Sequence, residues 1–252
     1  MDIEKLNSEI SLFRKRIITP IVLILLLVTT FGIIYWWLFT IVKVNADLLI
    51  GIYLIISIGV VFILYYYKEK VSAYFSQYSY LLMVKDNLGY LPLAANMLTS
   101  EWDQKVIKLG FKLQEETSFL KIYYTLTNIN PNYKHIKSAI IFLVILKTDK
   151  MDFYGSHIQT SIRNVMENVG IENQIKGEIV LQFMDYEQCE TDGIINARKI
   201  INYKSNRYFI VHITAAILRQ KNIWYYLRPI KRYPNRMYYE SCVIMNQLCQ
   251  LE

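Results

Sequence analysis

Two long runs of apolar residues dominate the first quarter of the chain. Residues 17–42 and residues 48–67 contain no charged side chain, and only a short turn with Lys43 and Asp47 separates them. A helix of about 20 apolar residues is long enough to cross a bilayer core of roughly 30 Å. Because backbone N–H groups find no partner in lipid, each run should be helical. The pattern therefore predicts a membrane α-helical hairpin over residues 17–67.

Basic residues flank this hairpin on one side. Arg14, Lys15 and Arg16 precede the first run, and Lys68 and Lys70 follow the second. The positive-inside rule therefore predicts that both termini lie in the cytoplasm, with the two spans in a bacterial-type plasma (inner) membrane.

Two other interpretations of the hairpin are open. A cleavable signal peptide is one, although the first apolar run is far longer than the 7–15 residues of a signal h-region. A channel is the other, although neither run contains an ionisable side chain of the kind that marks an ion path.

The rest of the chain divides by pattern into three further segments. Residues 1–16 predict a cytoplasmic amphipathic arm. Residues 68–100 predict a helical stalk that continues the second span to about Lys85, followed by a short helix over residues 92–98. Residues 101–252 predict a soluble α/β cytoplasmic domain.

This domain should begin with a β-hairpin. Val106, Leu109 and Phe111 are expected to open its first strand, and residues 119–126 to form the second. Residues 128–133, with Pro131, should form a loop.

A β-α-β-α-β-β order then predicts a mixed sheet in two or three layers. The eight apolar residues 139–146 suit a strand buried on both faces. A capping box at Ser156 should open the next helix, and a second one at Asp185 a helix that runs to about Tyr203. The remaining elements are strands over residues 178–184, 208–218 and 223–227 and a final helix over residues 237–251.

Charge is unevenly distributed along the domain. The chain has 28 Lys and Arg against 21 Asp and Glu, a net charge of +7. Residues 177–192 contain five acids and no base, whereas residues 193–239 contain ten bases and no acid. The three cysteines, Cys189, Cys242 and Cys249, match no zinc or redox spacing and suit a reducing cytoplasm.

The basic stretch contains interleaved aromatic residues, which predicts an anion-binding surface. Basic groups neutralise phosphates and aromatic rings stack on bases, so a nucleotide, nucleic acid or anionic lipid headgroups could bind there. A solvated basic face beside core aromatics is the other interpretation. The candidate ligand-binding residues are Arg219, Lys221, Trp224, Arg228, Lys231, Arg232 and Arg236.

Open α/β sheets bind ligands beyond the carboxyl ends of their parallel strands. Ser156 is a further candidate there, because a helix start can hold a phosphate through its backbone N–H groups. Asp149 and Asp185 are the best candidates for an active-site carboxylate, and Glu187 belongs to a run of acids better explained by a helix start than by a metal. His212 should be a hydrogen-bonded core histidine.

No catalytic or metal-binding motif and no cofactor follow from the sequence. The leading hypothesis is a membrane-anchored, non-enzymatic binding module of a larger assembly, such as a secretion or conjugation apparatus, with other membrane subunits or copies of itself as partners. A nucleotide-sensing membrane effector of a defence system and a membrane-tethered enzyme are the alternatives.

Overall fold

A computed structural model of the chain describes residues 3–42, 46–94, 97–127, 138–147, 155–170, 175–186, 190–204 and 208–250. The chain forms two compact units, Met1–Lys85 and Asp86–Glu252. The predictions for Lys43, Asp149, Glu187, Cys189, Arg207 and the loop over residues 128–133 lie outside the described residues.

The first unit consists of helices α1 (Ile3–Trp37), continued by a π-helical turn (Leu38–Val42), and α2 (Ala46–Lys85). The second unit consists, in order, of β1 (Leu91–Pro92), α3 (Ser100–Lys108), β2 (Lys112–Glu116), β3 (Leu120–Leu126), β4 (Ala139–Leu146), α4 (Ser156–Val165) with a π-helical turn (Met166–Gly170), β5 (Gly177–Asp185), α5 (Glu190–Ala197), β6 (Ile201–Lys204), β7 (Phe209–Leu218), a 3-10 turn (Arg219–Lys221), β8 (Ile223–Tyr225) and α6 (Arg236–Cys249).

Helices α1 and α2 form an antiparallel pair. Lys85 Nζ donates to Asn7 Oδ1 at 2.6 Å near one end, and the rings of Tyr35 and Tyr53 lie 5.4 Å apart toward the other. Both helices are long and apolar enough to cross a membrane, and the side chains of their apolar segments are not buried within the protein. The second helix continues without a break to Lys85, where the sequence predicts its end.

Helix α1 begins at Ile3, well before the apolar run that starts at residue 17, so Pro20 lies inside this helix. A proline has no N–H, and the carbonyl of Arg16, four residues earlier, therefore lacks its usual helical donor.

The second unit is built on one mixed sheet, as predicted. Its strand order is β1-β8-β7-β5-β4-β3-β2, and β6 pairs with β7 beside this path. Strands β4, β5 and β7 are parallel neighbours, whereas β3 and β8 flank them antiparallel. Parallel neighbours in chain order need crossover connections, which α4 and α5 provide.

Helices cover both faces of this sheet, so the domain has three layers. Ile158 and Ile162 of α4 pack with Phe142 and Val144 on one face, and Ala197 of α5 joins the same core. Helix α6 contacts β5 and β7 from the other side. All eight residues of β4 are buried, as their uninterrupted apolar run predicts.

The predicted strand around Val106 is wrong, because those residues form α3. Thr99 caps this helix by accepting from the Trp102 N–H at 3.4 Å, and Gly110 beyond its end has a φ of +94°. Trp102 and Val106, one turn apart, are both buried, so burial of one helical face outweighs the β-propensity of the short apolar run.

Helix α5 is much shorter than predicted. Asp185 ends β5 instead of capping a helix, and residues beyond Ala197 form β6, which pairs with β7. Gly193 lies so close to the sheet that a Cβ there would be 3.2 Å from the Cβ of Ala216 and from the Tyr186 ring. Close helix–sheet packing therefore explains the glycine.

Two further local predictions are also wrong. The short helix predicted over residues 92–98 does not begin at Pro92, which lies in the edge strand β1, a position where its missing N–H is tolerated, and the described residues 93, 94, 97 and 98 are not helical. Ser156 does not cap α4: Gly155 is the N-cap residue, and no side-chain capping hydrogen bond is formed there.

One hydrogen bond joins α3 to α6 and can be tested. Trp102 is fully buried, and its Nε1–H donates to the carbonyl of Leu248 at 2.7 Å. Trp102→Phe should lower the free energy of unfolding by about 1–3 kcal/mol, because a buried carbonyl loses its donor. The measurement is urea-dependent labelling of the buried thiols of Cys242 and Cys249.

Ile107 of the same helix provides the control, because its side chain is 51% exposed. Ile107→Ala should change stability by no more than about 0.5 kcal/mol. Equal midpoints for the Trp102→Phe variant and the unmodified chain would contradict the assigned role of this bond.

Candidate functional site

A cavity of about 190 Å³ lies at the carboxyl ends of the parallel strands. This is the edge at which open α/β sheets bind ligands. Its walls are formed by Leu98, Asp103, Lys121, Ile145, Lys147, Asp185 and Arg219.

The strand register brings these side chains together. Lys147 directly follows β4, Asp185 is the last residue of β5, and Arg219 directly follows β7. The three strands end nearly level, since Leu146 pairs with Met184 and Asp185 with Ile217. Polar residues placed at the same point after parallel strands therefore share one edge.

Asp185 and Arg219 form an ion pair at the cavity, through Oδ2 and Nε. The Asp185 side chain is 12% exposed, whereas that of Arg219 is 49% exposed. The other carboxylate oxygen, Oδ1, is buried and accepts no hydrogen bond from any residue that the structure describes. A buried acceptor without a donor is costly, so this oxygen is the natural attachment point for a donor group of a ligand.

A second polar group also lines this cavity. Lys121 Nζ forms ion pairs with Asp103 and, at 2.9 Å, with Glu116, and the Tyr123 hydroxyl donates to Asp103 Oδ1 at 2.9 Å. Burial alone would lower the pKa of Lys121, but the bonds and attraction from the two carboxylates outweigh it and raise that pKa. Burial and the bond to Asp103 also raise the pKa of Tyr123.

Lys147 is the most loosely held cation of the cavity. Its Nζ lies 3.8 Å from Glu116 Oε1 and 3.4 Å from the Thr117 carbonyl, and its side chain is 38% exposed. Lys147 and the outer part of Arg219 can therefore contact an anion without breaking a strong existing bond.

The predicted basic and aromatic residues lie in different parts of the domain, except that Trp224 and Arg228 line one cavity together. Trp224 is buried; its indole N–H donates to the Pro92 carbonyl at 3.1 Å, and Tyr226 stacks on its ring at 4.8 Å. Arg228 donates to Asn246 Oδ1 at 3.1 Å, and both line a different cavity of about 300 Å³ next to β1. Trp224 therefore packs in the core, where it forms part of the wall of this second cavity.

Lys231, Arg232 and Arg236 are exposed and lie in another part of the domain. Asn235 bonds Asn202 of β6 at 2.8 Å. Because Asn202 pairs with Val211, this segment lies near the opposite half of β7 from Arg219. Lys221 is exposed beside Arg219 in the 3-10 turn.

Ser156 is exposed in the first turn of α4, and a different residue cluster surrounds that turn. The two carboxylate oxygens of Glu115 bond His157 Nε2 and Ser161 Oγ. Burial would raise the pKa of Glu115, but these two bonds outweigh it and lower that pKa. The glutamate lies between the serine and the histidine, so the arrangement differs from that of a hydrolase triad, in which histidine is central.

His212 occupies the core position that the sequence predicts. It is 7% exposed, and its Nε2 lies 3.1 Å from Glu178 Oε1 on the neighbouring strand. Within the described ranges, no group of three or more His, Cys, Asp or Glu side chains could hold a metal ion.

Sequence reasoning missed Asp103, Lys121 and Lys147 as residues of this edge. A signal existed for Lys147, which directly follows the most apolar strand of the chain. Asp103 was hidden by the incorrect strand prediction around Val106, and Lys121 lies on a strand whose two faces do not differ in polarity. No protein-family model, curated protein or solved structure matches the chain.

Asp86 fixes the loop that carries Lys231 and Arg232, and this contact predicts a pH dependence. Its Oδ2 accepts from the backbone N–H groups of these residues at 2.7 and 2.9 Å. The bond from Lys231 is the main cause of the lowered pKa of Asp86. A lowered folded pKa contributes stability above the unfolded value of about 3.9, and this contribution is lost as pH falls through the folded pKa.

Asp86→Asn should therefore destabilise the domain at neutral pH and should cease to do so in strong acid. The difference should be below about 1 kcal/mol, because the site is solvent-accessible. Thermal unfolding midpoints measured from about pH 2 to pH 7 test this. Asp192→Asn, at an exposed position of α5, is the matched control. A difference that persists unchanged at the lowest pH would refute the linkage.

Proposed function

We propose that the protein is a membrane-anchored binding module whose α/β domain binds a small anionic ligand at the carboxyl edge of its sheet. The observation that carries the proposal is the cavity between Asp185, Arg219 and Lys147. It combines two accessible cations with a buried carboxylate oxygen that lacks a donor among the described residues.

These groups define the chemistry of the ligand. Arginine and lysine are suited to phosphate or carboxylate oxygens, and Asp185 Oδ1 requires an N–H or O–H group. A phosphate ester with a neighbouring hydroxyl or amine offers both. The cavity of about 190 Å³ is smaller than most pockets that enclose a whole cofactor, so a nucleotide would place only its phosphate or sugar there.

Ligand titration on the purified full-length chain tests the site. Inorganic phosphate, ribose 5-phosphate and nucleoside mono- and diphosphates form the panel, and isothermal titration calorimetry gives the affinities. Arg219→Gln and Lys147→Gln should each weaken binding by about tenfold or more, because each removes a charge-assisted hydrogen bond. Arg236→Gln, at a 65% exposed side chain elsewhere on the domain, should leave the affinity unchanged.

Asp185→Asn separates the two parts of the ligand requirement. If the ligand donates to Oδ1, removal of the carboxylate should weaken binding of the hydroxyl-bearing phosphate esters. Binding of sulfate, added to the panel because it has no O–H group at neutral pH, should instead strengthen, because a negative charge beside it is removed. If the Asp185, Arg219 and Lys147 variants bind every ligand with the affinity of the unmodified chain, the cavity is not the binding site.

Membrane anchoring by α1 and α2, with both termini in the cytoplasm, is supported by their apolar length and by basic residues at one end. The full-length chain should remain in the membrane pellet after alkaline carbonate extraction, whereas a chain of residues 86–252 should be released. Protease treatment of spheroplasts should leave a C-terminal tag intact, and cleavage of that tag would overturn the orientation.

A role as subunit of a membrane assembly is the second candidate. An exposed surface supports it: Ile230 is 56% and Tyr239 is 45% exposed, and the cations Lys231 and Arg232 are nearby in the chain. A patch of this composition suits an acidic protein partner. The ligand-gated effector and the membrane-tethered enzyme remain predictions. Deletion of residues 17–67 would test the effector hypothesis, and Asp185→Asn would test the enzyme hypothesis.

A further inference from the structure

A groove of about 430 Å³ lies between α1 and α2. Lys15, Arg16 and Lys70 contribute cationic groups to it, and Leu23 and Val71 contribute apolar wall. The groove thus combines three positive charges with a hydrocarbon surface that continues along the first helix.

The groove lies where a bilayer headgroup region would be. From residue 16 to residue 36, α1 rises roughly 30 Å at about 1.5 Å per residue, which matches the thickness of a hydrocarbon core. Trp36 and Trp37 thus lie one membrane thickness from Arg16. Tryptophan prefers the interface, so this spacing places Arg16 at one interface and the two indoles at the other.

Two of the three cations are held by aromatic rings. The guanidinium carbon of Arg16 lies 5.6 Å from the ring centroids of both Phe13 and Tyr74. Lys70 Nζ lies 4.8 Å from the Tyr66 ring centroid and 3.2 Å from its hydroxyl. Such contacts orient a cation without neutralising its charge.

No carboxylate neutralises the groove within the described ranges. Lys15, Arg16 and Lys70 form no ion pair with a described residue, in contrast to the lysines and arginine of the sheet cavity. Uncompensated positive charge above an apolar wall is the complement of a phospholipid with net negative charge: headgroup phosphate at the cations, acyl chain along the wall. A zwitterionic lipid would bring its own cation into the same space.

We infer that this groove binds one anionic phospholipid of the leaflet on the basic side of the hairpin. The inference rests on the proposed membrane anchoring and is independent of the ligand cavity in the sheet. Bound lipid would fill the space between the two helices and fix their register at this end of the hairpin.

Native mass spectrometry of the full-length chain tests the inference, after release from nanodiscs of equal phosphatidylcholine and phosphatidylglycerol content. The unmodified chain should retain one phosphatidylglycerol in preference to phosphatidylcholine. A triple variant, Lys15→Gln, Arg16→Gln and Lys70→Gln, should lose affinity by roughly fivefold per residue, on the order of a hundredfold in all.

The matched control is Lys5→Gln, Arg14→Gln and Lys68→Gln. It removes the same charge from exposed positions on the same two helices, outside the groove. It should retain the lipid. If both triple variants lose phosphatidylglycerol to the same extent, diffuse electrostatic attraction and not the groove holds the lipid. If the unmodified chain retains phosphatidylcholine as well as phosphatidylglycerol, the inferred preference for negative charge is wrong.

Two measurements separate this inference from related failures. Incorporation into nanodiscs reports on membrane anchoring itself, so an inserted chain that retains no phosphatidylglycerol refutes the groove alone. Thr19→Trp tests the site without a change of charge, because Thr19 lines the groove and a larger side chain should fill it. Lipid retention that survives this substitution would overturn the proposed position.

Discussion

Parallel pairing of β5 between β4 and β7 determines where polar chemistry can occur in the α/β domain. All three strands run in the same direction and end nearly level, so Lys147, Asp185 and Arg219 meet at one edge although more than thirty residues separate each from the next. Two crossovers in the same direction place α4 and α5 on one face. The other face is left to α6 and to α3, which brings Asp103 to Lys121 at that same edge.

The ion pairs at this edge contribute little to stability, which argues that their charged residues serve a function. Lys121, Asp103 and Asp185 are largely buried, and removing such charges from water is costly, so well-packed apolar residues would often serve stability equally well. The neighbouring strand segments do use apolar residues: Leu146, Met184 and Ala216 are all almost completely buried. Charged side chains begin where those strands end, around a cavity, and one oxygen of Asp185 accepts no hydrogen bond from a residue that the structure describes. That pattern is typical of a binding site.

The sequence was informative wherever one physical requirement acts on every position of an element. This holds for the uncharged apolar runs of α1 and α2 and for the eight buried residues of β4. Predictions from the sequence failed where contacts with residues distant in the chain determine the secondary structure. Residues 201–204 form β6 because they pair with the edge of β7. Val106 lies in a helix because Trp102, one turn earlier, is buried against α6. For the site, Asp185 and Arg219 could be proposed from strand ends, whereas Asp103 could not.

The two proposed anion sites differ in what they require of a ligand. In the sheet cavity, Lys121, Lys147 and Arg219 already face carboxylates, so an anion gains little unless it also donates to Asp185. In the helical groove, aromatic rings contact Arg16 and Lys70, and no described carboxylate forms an ion pair with any of the three cations, so negative charge alone is sufficient for attraction. The first arrangement favours selection of one ligand by its hydrogen-bond pattern. The second favours occupancy by whichever anionic lipid is abundant, because charge acts through the headgroup and the wall accepts any acyl chain.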